Sequence, residues 1–287
     1  MRLAYFGTPE MAVPPLHALV AAGHEVVLVV SSADKRRGRG GERSPSPVKA
    51  AALDLGLPIA HAVDDVLGRG VELGVVVAFG QLIKPHVLAE VPMVNMHFSL
   101  LPRWRGAAPV ERALLAGDSE TGVCLMQLEE GLDTGPIYDT VRLSITPTAT
   151  AEDLRRDLVA VGTEQLVRCL GGRLPQPVPQ RGEPLYAAKI RPEELRIDWS
   201  RPVEQIDRLV RLGGAWTTFR GKRLKVLAAA LDDAPPNDVS LRGAVERSPE
   251  RPVAGLRLVT VQPEGKGPML YADFARGARP QNDEIFE

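Results

Sequence analysis

The sequence predicts an α/β protein: a doubly wound parallel sheet followed by a small β-barrel. Three observations carry this expectation. A strand–helix–strand pattern opens the chain, further strand-length apolar runs recur before residue 100, and short β-like pieces replace them after a proline-rich stretch.

Leu3–Phe6 is the first apolar run. Thr8 is placed to cap a helix, with Pro9 suited to its first position and Glu10 to its first turn. Helical spacing continues through Leu16, Leu19 and Val20, Gly23 ends it, and Val26–Val30 follows as a buried strand. Val75–Phe79 and Val94–His97 supply further strands of parallel type. The Gly7-Thr8-Pro9 turn lacks the G-x-G-x-x-G spacing that lets backbone approach a pyrophosphate, which argues against a dinucleotide cofactor. A helix is expected from about Val110 to Leu115. Leu174 to Gly182 holds Pro175, Pro177 and Pro179 among polar residues and reads as a semi-rigid linker. The expected division is therefore a first domain over 1–171, a linker over 172–190 and a second domain over 191–287. In the second, a helix around Val203–Leu212 precedes the β-like pieces Arg223–Leu227, Gly243–Glu246 and Leu256–Val261.

The 287 residues suffice for two cores, and 44% hydrophobic with 25% charged is an ordinary globular balance. No apolar run is long enough to cross a bilayer, and no signal-peptide pattern opens the chain, so a cytoplasmic protein without a membrane partner is expected. The two cysteines, Cys124 and Cys169, and the scattered His17, His24, His61 and His86 show no metal-ligand spacing, so no metal is expected. Net charge is −1 but uneven: residues 1–171 carry 16 basic and 20 acidic side chains, residues 172–287 carry 19 and 16. Local basic patches keep a nucleic-acid partner open.

Chemistry concentrates in two short segments. Asn95 and His97 are alternate residues at a strand's carboxyl end, so both side chains face one side, where open α/β sheets bind ligands. Pro102, Gly106 and Pro109 constrain the loop that follows. Asp133 sits in Gly131-Leu132-Asp133-Thr134-Gly135, whose glycines permit close backbone approach. Taken singly, an Asn-x-His pair is more often a cap and a packed ring, and a Gly-Leu-Asp-Thr-Gly loop more often a turn. Together they offer an amide donor for an oxyanion, an imidazole for proton transfer and a carboxylate to orient it, the requirements of acyl transfer to an amine.

The run Asn95-Met96-His97-Phe98-Ser99-Leu100-Leu101-Pro102-Arg103-Trp104-Arg105-Gly106-Ala107-Ala108-Pro109, with the Asp133 loop, resembles the 10-formyltetrahydrofolate-dependent formyltransferases. The similarity extends through Phe6-Gly7-Thr8-Pro9, Pro45-Ser46-Pro47-Val48-Lys49, Val77-Ala78-Phe79-Gly80, Ile197-Asp198-Trp199 and Gln262-Pro263-Glu264-Gly265-Lys266, and so covers nearly all of the chain. It implies a Rossmann-like first domain, an OB-like second domain, a catalytic trio of Asn95, His97 and Asp133, and a folate pocket lined by Ser99, Leu100, Leu101 and Pro102. Ser99 to Pro109 is closest to the branch whose acceptor is a methionyl initiator tRNA, which implies formyl transfer from 10-formyltetrahydrofolate to its α-amino group by a monomeric enzyme. The alternative is the same donor with an amino sugar nucleotide or another small amine as acceptor.

Residues 34–49 hold six basic side chains against two acidic ones in a Gly- and Pro-rich context. Such a segment reads as a solvated loop or as one that meets phosphates. The resemblance implies tRNA contact here, with Arg39 at the centre and Arg36, Arg37, Arg43 and Lys49 around it. Arg223 and Lys225, alternate residues on one predicted strand, form a second candidate tRNA face. The chain departs from the family in a shortened stretch before Gly214-Ala215-Trp216, in missing residues between Gly243 and Gln262, in an abbreviated 61–74 region, and in Gly74, which stands where the family often has Asp.

Overall fold

The computed structural model of the protein describes residues 1–36, 43–231, 255–279 and 286. Its contacts fall into two units. Met1–Val110, Ser119–Ile145 and Asp153–Ala188 form the first; Glu111–Asp118, Thr146–Glu152 and Lys189–Glu287 form the second.

Valine-rich runs build the first unit's sheet. The chain forms β1 (Arg2–Gly7), α1 (Val13–Ala21), β2 (Glu25–Val30), β3 (Lys35–Arg36), β4 (Arg43–Ser44), α2 (Pro47–Asp54), β5 (Ile59–Ala60), β6 (Leu73–Val77), α3 (Pro85–Glu90) and β7 (Met93–His97). It continues through β8 (Arg105–Gly106), α4 (Pro109–Ala116), β9 (Glu120–Gln127), β10 (Ile137–Ser144), α5 (Ala151–Leu170) and β11 (Tyr186–Ala187). The main sheet has the order β10-β9-β7-β6-β1-β2-β5. Its five strands from β7 to β5 are parallel, and β9 and β10 extend it as an antiparallel hairpin. The sequence moves outward from β1 to β5 and then returns to β6, which creates a switch point between β1 and β6.

Local chemistry sets several element ends differently from the sequence expectation. The strand expected over Val75–Phe79 ends at Val77, because Ala78 (φ 46°) and Gly80 (φ 74°) turn the chain out of extended geometry. Thr8 does not cap the first helix. Its hydroxyl donates to the Phe79 carbonyl at 3.3 Å, while Pro9 precedes a 3-10 turn over Glu10–Ala12 and α1 begins at Val13. Gly74 has a packing reason: a Cβ there would lie 2.8 Å from Met93 and 3.2 Å from Phe6.

The proline-rich stretch is more than a spacer. Val178 and Ile137 exchange two main-chain hydrogen bonds of 2.8 Å, and β11 pairs in parallel with β8, so residues up to Ala188 pack within the first unit. Van der Waals and main-chain contacts that distant in sequence leave no periodic trace.

The second unit holds α6 (Val203–Leu212), β12 (Trp216–Phe219), β13 (Lys222–Leu231), β14 (Leu256–Pro263), β15 (Met269–Leu270) and α7 (Tyr271–Ala278). Its described strands form an antiparallel sheet in the order β12-β13-β14-β15. Ile206 and Val210, one turn apart on α6, pack with Phe219, Leu224, Val226 and Leu258. Phe219, Tyr271, Phe274 and Phe286 add an aromatic cluster. The expected β piece Gly243–Glu246 lies outside the described residues.

Candidate active site

β7 ends at His97, and its alternation turns Asn95 and His97 to the same side of the sheet. Across from them stands Asp133, buried to 8% exposure and held at φ 49°, a left-handed conformation that Asp adopts more readily than most residues. Asn95 Nδ2 donates to Asp133 Oδ1 at 3.4 Å, and His97 Nδ1 lies 3.7 Å from Asp133 Oδ2. The three side chains expected to act together therefore meet.

The neighbouring backbone decides how they meet. His97 Nε2 donates to the Trp104 carbonyl at 2.9 Å. A carbonyl only accepts, so Nε2 carries a proton and Nδ1, the nitrogen facing Asp133, is the one free to gain or lose one. Trp104 presents that carbonyl from a left-handed backbone, φ 63°. Asp133 Oδ2 accepts the Gly106 N–H at 2.7 Å, which fixes the plane of the carboxylate. Gly106 itself has φ 114°, and a Cβ there would approach the Ala187 carbonyl to 3.1 Å. At Gly135 a Cβ would fall 2.0 Å from the Gln127 carbonyl, so only glycine lets the Asp133 loop lie against β9.

Ser99 is fully buried and its hydroxyl donates to the Arg103 carbonyl at 2.6 Å. It shapes the loop, and Leu100, Leu101 and Pro102 beside it are partly exposed. Cys124 stands opposite His97 in the β7–β9 register, but burial pushes its thiol up and away from the reactive thiolate.

Sequence reasoning missed Gln180. From the proline-rich stretch its Nε2 donates to the Asp133 and Gly135 carbonyls, both at 2.8 Å, and its Oε1 accepts from Arg105 Nε (3.1 Å) and the Arg105 Nη2 (2.7 Å). No local signal marks such a residue; only its place in space does.

Of the basic residues expected to meet tRNA, Arg36 and Arg43 are exposed and directly paired across the β3–β4 ribbon. Arg37 and Arg39 lie outside the described residues. Lys49 is employed structurally: its ammonium meets Asp34 at 2.7 Å with its side chain 18% exposed, clamping the base of the 34–49 segment. Ser46 caps α2 there, accepting the Lys49 N–H at 3.1 Å. In the second unit, Arg223 and Lys225 project from the exposed face of β13, and Arg223 lies 4.2 Å over the Trp216 ring. Among the described residues no cluster of His, Cys, Asp and Glu could hold a metal, and no helix is long and apolar enough to cross a membrane.

A formyl transferase model matches residues 1–170, and a formyl transferase C-terminal domain model matches residues 189–279. The methionyl-tRNA formyltransferase of Roseobacter denitrificans is 42% identical, over 100% of this chain and 99% of its own. That of Thermobifida fusca is 43% identical, over 100% and 99%. In fold, the chain resembles an N-formyltransferase of Helicobacter canadensis crystallised with folinic acid and dTDP-3-aminofucose (TM-score 0.65, 17% identity, 82% of this chain and 89% of that one). It also resembles a methionyl-tRNA formyltransferase from Clostridium thermocellum (TM-score 0.60, 18% identity, 82% and 95%).

Proposed function

The chain belongs to the formyl transferase family, and from that premise we propose that it moves the formyl group of 10-formyltetrahydrofolate to the α-amino group of methionyl initiator tRNA. The observation that carries the chemistry is the meeting of Asn95, His97 and Asp133 at the end of β7. The full-length likeness to methionyl-tRNA formyltransferases supports the acceptor.

The amine is the nucleophile. Its nitrogen attacks the formyl carbon, and the carbonyl electron pair moves to oxygen, giving a tetrahedral oxyanion. Asn95 spends one amide N–H on Asp133 and keeps the other for that oxygen, while a protonated His97 Nδ1 donates beside it. The amine nitrogen then loses a proton and the folate N10 must gain one before the C–N10 bond breaks. Asp133, oriented by the Gly106 N–H, takes the first proton directly or through water, and His97 returns one to N10. No covalent enzyme intermediate enters. Leu100, Leu101 and Pro102 border the folate, and the Arg36–Arg43 ribbon and the Arg223–Lys225 face meet tRNA phosphates.

The test offers 10-formyltetrahydrofolate with charged initiator tRNA and an amino sugar nucleotide side by side. Preferential formylation of the methionyl-tRNA is expected. Turnover of only the small amine would discard tRNA as the acceptor and keep the site.

A further inference from the structure

Gln180 lies 47 residues from Asp133 in sequence, yet its one amide group engages both walls of the site. Its Nε2–H groups are both used, on the carbonyl of Asp133, the left-handed residue itself, and on that of Gly135 two residues later. Its Oε1 holds the Arg105 guanidinium through two N–H groups. Arg105 sits between Trp104, whose carbonyl sets the His97 tautomer, and Gly106, whose N–H orients Asp133. The amide is thus a bridge between the loop that carries the carboxylate and the loop that positions the imidazole.

We infer that Gln180 is a positioning residue for formyl transfer, setting the His97–Asp133 separation through the backbone on both sides. Glutamine suits the place because it both donates and accepts, and no other side chain of that length does so while uncharged. A glutamate would still accept from Arg105 but would turn carboxylate oxygens toward two carbonyls, with no proton for either. Leucine would remove both halves of the bridge with little change of volume. The segment that presents Gln180 is itself anchored on either side, at Val178–Ile137 and Tyr186–Arg105, so the amide acts from a fixed base.

This inference rests on the proposed role of Asp133, so that residue's variant serves as the control. Gln180→Leu, Gln180→Glu and Asp133→Asn would be compared with the unaltered protein in kcat, in KM for both substrates, in the pH profile of kcat and in thermal unfolding. Expected for both Gln180 variants is a fall in kcat of about 10- to 100-fold, since small misplacements of reacting groups cost that much. KM should move by less than about threefold, the acid limb of the pH profile should shift, and Tm should stay near that of the parent. Glutamate should be no better than leucine, because the donated bonds carry the effect. An unchanged kcat, or a loss tracking a lower folded fraction with the pH profile intact, would overturn the inference. If Asp133→Asn also keeps full activity, the reading of the site itself fails, and the two failures are told apart.

Discussion

β6 and β13 solve opposite problems with the same period of two. All five residues of β6, Leu73-Gly74-Val75-Val76-Val77, are buried, because a parallel strand in mid-sheet is covered on both faces. In β13, buried Leu224 and Val226 alternate with exposed Arg223, Lys225 and Leu227, because an antiparallel sheet packs one face and leaves the other to solvent. The difference teaches where each unit can do chemistry. A sheet buried on both faces has only its strand ends to offer, and Asn95 and His97 sit at one. A sheet with a solvated face can present a row of side chains, and Arg223 and Lys225 make one. Ends converge on a point, which suits bond-making; faces spread, which suits holding a long anion.

Substitutions can break this contrast, and the largest effects belong at the strand end. Asp133→Asn should lower kcat about 100- to 10,000-fold with the fold intact, the range of a lost general base. A rate within a few-fold of the parent, measured with saturating donor, would remove the carboxylate from the mechanism. Asn95→Ala should cost about 100- to 1,000-fold in kcat with little change in KM, as for a missing oxyanion donor. If KM rose instead, the amide would be a binding group and not a transition-state one. Gly135→Ala cannot keep the Asp133 loop against the Gln127 carbonyl, so kcat should fall on the order of 100-fold. Circular dichroism unchanged beside that loss would assign it to loop position.

Smaller effects belong to the face and to the surface. Replacing Arg223 and Lys225 together by Ala should leave kcat at saturating tRNA unchanged and weaken tRNA binding. The slope of log affinity against log salt should become shallower by about 1 to 2 units, one phosphate contact per side chain. An unaltered slope would strip the face of that role. Smallest is the Arg112–Glu194 pair, joined by two hydrogen bonds of 2.8 and 3.3 Å. The guanidinium, helped by the Arg191 N–H, lowers the Glu194 carboxyl from the usual 4.5 to about 2. A depressed carboxyl stabilises the fold fully above its unfolded value and loses that contribution as pH falls through the folded one. Arg112→Ala should therefore cost about 1 kcal/mol at neutral pH, a partly exposed pair being screened, and almost nothing near pH 2. Equal destabilisation at both pH values would mean that packing, not charge, supplies the stability.

The residues alone already determined a good deal. Alternation put Asn95 and His97 on one side of a strand, apolar runs located β1, β2 and β7, and the 3.6-residue period located α6 over Val203–Leu212, because these signals are local and repeat. The sheet hairpin β9–β10 and helix α5 escaped: β9 is buried along its length without alternation, β10 alternates only between half-buried and exposed residues, and Gly162 interrupts the helical signal of α5. At the site the side chains were legible and their supports were not. Trp104 acts through a carbonyl, Gly106 through an N–H, and Gln180 through an amide delivered from a stretch that reads as a linker. Backbone groups are the same in every residue, so no sequence pattern can announce which of them will face a histidine. Which chemistry is present follows from side-chain identity; how it is aimed is decided by the tertiary structure, because hydrogen bonds depend on direction and distance between segments that only folding brings together.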